Sequence, residues 1–358
     1  MILGVIIWEI SHIPQMAAEE FGEPAAHLTL YQRYNYAFRL FLNEKSLTEP
    51  GNVNGSPTTF HVEFGESPVS IGNRLEQEGF IIDAEAFRIY LIYSGLDTGV
   101  QAGDFQVDPT MNAVDIAHRL QDATPDRVIF NIFPGWRTEE VALSIESSGL
   151  EFDPQEFIAL AYHPDEILIP TGLENIHSLE GFFFPAEYDF KRDIPVELMN
   201  QTLTHKFSEN VTSDLVDAYQ RNGLSLFEAV TLASIIEREA VLVEEQPLIA
   251  SVFFNRLSIG MKLESDPTVQ YALGYNGLQD TWWTNPLSIE NLSIDSPYNT
   301  YKYAGLPSGP ISNPGISALS AVAYPAQTKY FYFRADCDGS GRHQFAYTFE
   351  EHVKNECP

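Results

Sequence analysis

Residues 60–87, FHVEFGESPVSIGNRLEQEGFIIDAEAF, are echoed by residues 130–157, FNIFPGWRTEEVALSIESSGLEFDPQEF, at a constant offset of 70 residues. The segments align without gaps and share six identical pairs: Phe60/Phe130, Gly65/Gly135, Glu76/Glu146, Gly79/Gly149, Asp83/Asp153 and Phe87/Phe157. Each copy predicts a strand, a glycine turn, a helix that stops at a second glycine, and a helix capped by aspartate. Two interpretations fit: an internal duplication, or two similar βαα units whose caps and stops recur by chemistry alone. Either one predicts an α+β fold.

The first copy continues into a further strand and a further helix. GDFQVDP (103–109) predicts the strand, and MNAVDIAHRLQDA (111–123) predicts the helix. Residues 60–108 then follow the order strand–helix–helix–strand, which is also the build of small glycan-binding LysM modules; this likeness concerns the fold alone. We therefore expect a LysM-like βααβ subdomain at 60–123, followed by a mixed α/β domain at 124–358.

The N-terminus begins with an apolar stretch, MILGVIIW, of eight residues. A bilayer crossing needs roughly 20, and no basic segment precedes the stretch, so it is not a complete signal peptide. Residues 1–15 are interpreted either as a buried or frayed first turn, or as the remnant of a membrane anchor whose start is missing. The following residues, 16–59, predict a helical arm and a linker, because 44–59 is rich in Gly, Pro, Asn, Ser and Thr.

The charge balance and the cysteines limit the classes of partner. Fifty acidic residues against 20 basic ones give a formal net charge of −30, which repels phosphate backbones and argues against nucleic acid as a partner. A neutral or cationic substrate, such as a glycan, is easier to reconcile with this charge. Cys337 and Cys357 have no metal-ligand spacing; a disulfide between them requires an oxidising compartment, and the sequence leaves that pairing open.

The segment TLASIIEREA (231–240) places two glutamates in an apolar helix. Ser225 and Glu228 form a capping box that opens this helix. A helical wheel puts Glu237 on a small, apolar side, whereas Glu239 points about 160° away, near Glu228. The residues that share the side of Glu237 are Leu226, Val230, Ala233, Ser234, Ala240 and Val241.

Two interpretations of Glu237 follow from this position. Apolar surroundings raise the pKa of a carboxyl, and a carboxylic acid that is protonated near neutral pH can act as a general acid. Alternatively, Glu237 forms a structural ion pair with a buried arginine, Arg238 or Arg256, because such pairs also perturb pKa values.

Three downstream stretches bear on this choice. SVFFNRLSIGMKLESDPTVQYALG (251–274) predicts a helix and an exposed polar loop, and SPYNTYKYAGLPSGPISNPG (296–315) predicts a long ordered loop. The Tyr, Asn and Thr side chains of that loop suit sugar recognition. Residues 328–352 predict two strands around a glycine-rich turn, with alternating aromatic residues. Two roles stay open for His343, in the lining of a cleft or in the structure, and the structural role is favoured.

These blocks resemble the MltG-type (YceG-like) endolytic murein transglycosylases. LASIIERE (232–239), the two long stretches above, AVAYPAQTKYFYF (321–333) and LEGFFFPAEY (179–188) stand in that family's order and spacing, and the resemblance covers about 60–352. Ser308, Glu264 and the Ala186–Glu187 pair depart from the family's usual residues.

The resemblance implies an activity and a location. Family members are held at the outer face of the bacterial cytoplasmic membrane by one N-terminal helix, and they cut nascent peptidoglycan strands. The expected partners are therefore peptidoglycan glycan strands and peptidoglycan synthases, with no cofactor and no metal. The expected reaction cuts the β-1,4 bond between MurNAc and GlcNAc and leaves 1,6-anhydro-MurNAc ends, which terminates strand elongation. Two rivals stay open: a water-using muramidase in which Glu237 works with Asp266, and a non-catalytic peptidoglycan-binding scaffold.

The resemblance also implies the residues of the site. It places the catalytic glutamate at Glu237, which would act in turn as acid and base, and 124–358 becomes the catalytic domain. Glu239 and Arg256 are expected to support it from a second layer. The residues expected to position sugars or hold the loops are Asn255, Asp266, Thr268, Tyr298, Asn299 and Thr300.

Overall fold

Helices and small antiparallel sheets alternate along the chain, which confirms the predicted α+β class. The computed structural model describes residues 2–51, 55–123, 127–173 and 176–357. The chain divides into two compact units, residues 1–126 and 127–358.

The first unit carries the arm and the first copy of the sequence pattern. Its elements, over the described residues, are α1 (Ile2–Phe21), α2 (Leu30–Leu42), α3 (Glu44–Thr48), β1 (Thr58–Val62), α4 (Pro68–Gln77), α5 (Ala84–Ser94), a 3-10 turn (Leu96–Thr98), β2 (Gly103–Val107) and α6 (Ala113–Arg119).

The predicted order strand–helix–helix–strand is present in β1, α4, α5 and β2. β1 pairs antiparallel with β2, with Phe60 opposite Phe105, and both rings are buried. Gly79, at φ 79°, follows the end of α4, and the Asp83 carboxylate accepts from the first backbone N–H groups of α5. The local punctuation of the sequence therefore sets these elements. Likeness to a LysM module remains a prediction.

The N-terminal helix α1 contains the apolar stretch for which either an anchor remnant or a buried or frayed first turn was expected. In the ranges that the structure describes, no helix combines the length and the apolar composition needed to cross a bilayer. The predicted linker, residues 44–59, includes the short helix α3, whose Leu47 is buried, and the start of β1. Residues 52–54 of that linker lie outside the described residues.

The second unit carries the second copy and both glutamates. Its elements, over the described residues, are β3 (Arg127–Asn131), α7 (Thr138–Ile145), α8 (Pro154–Tyr162), a 3-10 turn (Glu166–Leu168), β4 (Glu187–Lys191), α9 (Val196–Asn210), α10 (Ser213–Arg221), α11 (Leu226–Glu239), a 3-10 turn (Val243–Glu245), α12 (Gln246–Ser258), α13 (Asp266–Leu273), α14 (Ile289–Leu292), α15 (Ile316–Ala323), β5 (Tyr332–Ala335), β6 (His343–Ala346) and α16 (Phe349–Lys354).

The second copy is also closed by a strand pair. β3 pairs antiparallel with β4, with Phe130 opposite Tyr188, and no sequence pattern had predicted β4. After β4 the chain forms two helices, α9 and α10, and not one continuous helix. The helix breaks between α9 and α10, because Thr212 is extended (ψ 163°) and the preceding Val211 is buried in the core.

Helix α11 is the centre of the larger core of the second unit. All eight residues from Ala229 to Ile236 are buried, and they pack with residues of α12 and α15. The helix ends at Ala240, whose ψ of 118° is extended. Both glutamates therefore lie in the last turn of a helix whose position is fixed by the core.

Candidate functional site

Glu237 faces two loops that contain glycine. Its Oε2 accepts a hydrogen bond of 3.0 Å from the backbone N–H of Gly315. A Cβ on Gly135 would lie 3.7 Å from Cγ of Glu237, so the turn after β3 also contacts this side chain. Burial raises the pKa of Glu237, and the Gly315 N–H and the charge of Arg238 oppose the effect.

Arg238 is held mainly by an aromatic ring. Its guanidinium lies 3.7 Å from the ring centroid of Trp283, and Nη1 donates a long bond of 3.5 Å to the carbonyl of Gly135. The indole N–H of Trp283 donates to the carboxylate of Glu140 at 3.1 Å. Arg238 therefore holds the loop before α14 against α11. Its positive charge also lowers the pKa of Glu237.

Glu239 faces a different loop, on another side of α11. The Ser265 hydroxyl donates a hydrogen bond of 2.5 Å to its Oε1. Burial raises the pKa of Glu239 to about 7, with a smaller contribution from the Asp266 carboxylate, while Ser265 and Arg256 oppose the rise. The helical wheel therefore separated the two glutamates correctly. The capping residue Glu228 is exposed, however, whereas Glu239 is partly buried.

Glu239 lines a cavity of about 480 Å³. Charged and aromatic residues from α11, α12, β5, β6, α16 and the loop before α13 form its walls. Besides Glu239, the lining residues are Arg256, Leu263, Glu264, Asp266, Tyr301, Tyr332, Phe333, Arg334, Ala335, His343, Phe349 and His352. Blocks that are far apart in sequence thus converge on one carboxyl group.

A network of hydroxyl groups holds the loop at Ser265. The Ser265 N–H donates to Oγ1 of Thr300 at 3.0 Å, and the Thr268 hydroxyl donates to the Ser265 carbonyl at 2.7 Å. Thr268 and Thr300 also bond to each other at 2.8 Å, and both are buried. These two threonines join the loop to its neighbour.

Two of the predicted polar residues serve the framework. The Asn299 side-chain amide donates to the carbonyls of Leu292 and Ile294, and Asn299 is buried. The Asn255 amide donates to the carbonyls of Thr328 and Tyr330. The N–H donors of both side-chain amides are therefore used by backbone carbonyls of neighbouring loops.

Arg256 and Asp266 reach the cavity of Glu239. Arg256 is buried and donates to the carbonyls of Phe331 (2.7 Å) and Leu263 (2.6 Å). It thereby joins the residue before β5 to the loop before α13. Asp266 is exposed and accepts a hydrogen bond of 2.6 Å from the Tyr301 hydroxyl.

Tyr298 lies in a separate cavity of about 460 Å³, beside Phe227 at the start of α11. This cavity also contains Glu180 of the LEGFFFP segment, which is buried and accepts from the Thr138 N–H at 3.2 Å. Burial and the Glu139 carboxylate raise the pKa of Glu180 to about 8. The structure therefore does not bring Tyr298 into the cavity of Glu239.

Sequence reasoning missed Ser265, Tyr301, Trp283 and Glu180. Ser265 had a signal, because it directly precedes the predicted Asp266 turn and is polar between Glu264 and that turn. Tyr301 stood in the predicted sugar loop, next to Thr300. Trp283 had no comparable signal, because its partner Arg238 is distant in sequence.

Two further features concern metals and cysteines. In the described part of the chain, no three His, Cys, Asp or Glu side chains are grouped so that they could hold a metal ion. Cys337 and Cys357, whose pairing the sequence left open, are joined in a disulfide. His343 is hydrogen-bonded to Glu245 at 2.7 Å and also lines the cavity of Glu239, so both of the roles considered for it have a counterpart in the structure.

Comparison with known proteins gives one family. The YceG-like family matches residues 60–357. The chain is 33% identical over 333 residues to the endolytic murein transglycosylase of Bacillus subtilis strain 168, covering 88% of each protein. It is 29% identical over 322 residues to the endolytic murein transglycosylase of Streptococcus pneumoniae D39, covering 83% of this chain and 57% of that protein.

A solved structure gives the same result. The crystal structure of a YceG-like protein from Listeria monocytogenes superposes with a TM-score of 0.57 at 29% identity, covering 84% of this chain and 99% of that one. The family match spans well over half of the chain. This chain therefore belongs to the YceG-like family.

Proposed function

We propose that this chain is an endolytic lytic transglycosylase of peptidoglycan. It cuts the β-1,4 bond between MurNAc and GlcNAc in nascent strands, leaves 1,6-anhydro-MurNAc ends and so terminates elongation. The names of the relatives in B. subtilis and S. pneumoniae support the activity. The cavity beside the partly buried carboxyl group of Glu239 supports a reaction that depends on one acid.

Glu239 is the acid and base in this proposal, and Glu237 is the competing candidate. A general acid must be protonated near the working pH and must reach the substrate. Glu239 meets both conditions, because its pKa is raised to about 7 and it lines a cavity of about 480 Å³. Glu237 also has a raised pKa, but it is not among the residues that line this cavity.

The mechanism needs one carboxyl group and no water. Protonated Glu239 gives its proton to the glycosidic oxygen as the bond from MurNAc C1 to that oxygen breaks. The resulting carboxylate then takes the proton of the MurNAc C6 hydroxyl as O6 bonds to C1 and closes the anhydro ring. The proton from the C6 hydroxyl restores the acid form of Glu239, so the enzyme is ready for the next cycle.

The single observation that carries the proposal is the environment of the Glu239 carboxyl. Burial raises its pKa to about 7, so that both the acid and the carboxylate are accessible near neutral pH, and the Ser265 hydroxyl and the charge of Arg256 favour the carboxylate that forms during the reaction. A carboxyl group with this balance can both donate and accept a proton within one cycle.

The test compares two conservative variants on the same helix. Purified peptidoglycan is digested with wild type, Glu239→Gln and Glu237→Gln, and anhydro-muropeptides are measured by mass spectrometry. We expect Glu239→Gln to lose at least about 100-fold in rate, as for a removed general acid, and Glu237→Gln to keep most activity. The reverse pattern would assign the chemistry to Glu237, and full activity in both would refute the use of either carboxyl.

A water-using muramidase is the second candidate, because Asp266 places another carboxylate at the same cavity. Glycoside hydrolases use two carboxyl groups, and Asp266 could activate water. The products separate the candidates, since an anhydro end is lighter by one water than a reducing end. A binding scaffold would release neither product.

The location and the first unit complete the proposal. We expect the chain at the outer face of the cytoplasmic membrane, near peptidoglycan synthases, with a LysM-like subdomain that binds glycan. The disulfide between Cys337 and Cys357 supports an oxidising environment. Protease added to intact spheroplasts should degrade the second unit, whereas protection from the protease would contradict an external location.

A further inference from the structure

The hydroxyl of Ser265 donates a hydrogen bond to one oxygen of the Glu239 carboxyl, Oε1, and not to the other, Oε2. The bond from Ser265 Oγ to Glu239 Oε1 is 2.5 Å long, as for a hydroxyl that donates to a carboxylate. Ser265 is itself 1% exposed, so water competes little for this hydroxyl. The contact is therefore a fixed part of the site.

The directions of the bonds around Ser265 follow from counting protons, since each hydroxyl has one to donate. Thr268 gives its proton to the carbonyl of Ser265, so in the contact of 2.8 Å between Thr268 and Thr300 the donor is Thr300. Thr300 in turn accepts from the Ser265 N–H. The backbone of Ser265 is thus fixed on both its N–H and its carbonyl, and the remaining proton of the residue, on Oγ, points to Glu239.

We infer that Ser265 is a positioning residue, which holds Oε1 of Glu239 as the accepting oxygen and reserves Oε2 for proton exchange with the substrate. In a protonated carboxyl group, an oxygen that accepts a hydrogen bond is the carbonyl oxygen, and the proton resides on the other one. Thr268 and Thr300 act through Ser265 by fixing its backbone. This inference rests on the proposed role of Glu239 as acid and base.

The same contact influences both halves of the reaction. Donation from Ser265 favours the carboxylate that forms when the glycosidic bond breaks. Loss of the hydroxyl therefore removes stabilisation of that carboxylate and frees the carboxyl group to rotate. A purely structural serine would affect folding but neither of these steps.

Other charged groups also face Glu239, and they define the background for its titration. Asp266 at the start of α13 raises its pKa, whereas Arg256 of α12 and Arg238 of α11 lower it. The remaining charged or titratable residues around the cavity are Glu264, Tyr301, Tyr332, Arg334, His343 and His352. Variants at Ser265 leave all of these in place, so a change in the pH profile reports on the one hydrogen bond.

The experiment measures kcat and KM on purified peptidoglycan from pH 5 to 9 for wild type, Ser265→Ala and Ser265→Thr. The matched control is Ser251→Ala, which removes another largely buried hydroxyl, bonded to Thr328 instead of a carboxylate. We expect Ser265→Ala to lower kcat about tenfold, the scale of one hydrogen bond to a charged group, with KM nearly unchanged.

The pH profile gives the readout that a structural role would not move. Activity requires protonated Glu239, so kcat/KM falls as pH rises through its pKa. Ser265→Ala removes a bond that favours the carboxylate, so this descending limb should move to higher pH. Ser265→Thr keeps the hydroxyl and should restore both the limb and most of kcat, while Ser251→Ala should leave the limb in place.

Each other outcome is decisive. An unchanged limb and unchanged kcat per folded molecule in Ser265→Ala would overturn the inference, as would a limb that moves to lower pH, which would make Ser265 an acceptor. If Glu239→Gln is fully active, the proposed function of Glu239 fails first. If Glu239→Gln is inactive and Ser265→Ala behaves like Ser251→Ala, the function stands and only the role of Ser265 is refuted.

Discussion

Glu237 and Glu239 lie two residues apart on α11, yet their carboxyl groups accept hydrogen bonds from different loops. Glu237 accepts from the backbone N–H of Gly315, and Glu239 accepts from the hydroxyl of Ser265. The first contact joins α11 to the loop before α15, whereas the second lies at the edge of a cavity. Two similar residues of one helix turn therefore have different opportunities for chemistry.

The raised pKa of Glu239 makes stability depend on pH in a defined direction. Its pKa rises from 4.5 in the unfolded chain to about 7 in the folded protein, so the folded state binds more protons between these values. The free energy of unfolding should therefore fall as pH rises from about 4.5 to about 7, by an amount on the order of 2 kcal/mol from this group. Glu239→Gln should lack this contribution.

Urea unfolding at pH 5 and pH 8 measures that difference for wild type and variant. The exposed Glu350 on α16 gives a control, Glu350→Gln, which should change stability by less than about 0.5 kcal/mol at either pH. If the unfolding free energy of Glu239→Gln changed between pH 5 and pH 8 as much as that of wild type, Glu239 would not be the source of the pH dependence.

Gly181→Ala should destabilise the second unit strongly. Gly181 has a φ of 89°, and a Cβ there would lie 2.5 Å from Cβ of Pro310, which cannot yield without moving the loop. Gly223→Ala is the matched control, with a φ of 82° and nothing within 4 Å of the added atom. We expect about 1–2 kcal/mol for the control and about 3 kcal/mol or more for Gly181→Ala. Equal losses in thermal unfolding would show that the contact with Pro310 is unimportant.

Substitution of Arg256 should lower the free energy of unfolding, and any loss of activity should follow from that loss of stability. Arg256→Met leaves the buried carbonyl of Leu263 and the partly buried carbonyl of Phe331 without this donor, so we expect a loss of about 3 kcal/mol. Arg256→Lys keeps the charge but not the fork of donors and should fall in between. The exposed Arg221 provides a control, Arg221→Met, with little effect. Unchanged stability with lost activity would instead indicate direct binding of substrate by Arg256.

Removal of the disulfide should lower the stability of the C-terminal hairpin and α16. The bond closes a loop with a sequence separation of 20, so Cys337→Ser/Cys357→Ser should cost about 3 kcal/mol in denaturant unfolding. Reductant should lower the wild-type midpoint to that of the double variant and leave the variant unchanged. A reductant effect of equal size on the variant would show that another process is responsible.

Local chemistry explains how much of the fold the sequence predicted. The capping aspartates Asp83 and Asp153 and the glycine at the end of α4 act on their own neighbours, so β1, α4, α5, α7 and α8 were predicted from nearby residues alone. The break between α9 and α10 has no such local signal, because it depends on burial of Val211 in the core. Propensity alone would have continued that helix.

The sequence by itself determined the α+β class, the family, and the presence of two glutamates on different sides of one helix turn. Only the tertiary structure decided what each glutamate meets. A helical wheel gives the angle between side chains, but the loop that supplies Ser265 to Glu239 is 26 residues away, and Gly315 is 78 residues from Glu237. Long-range packing, which no local pattern encodes, thus placed Glu239 at the cavity and Glu237 against a backbone N–H.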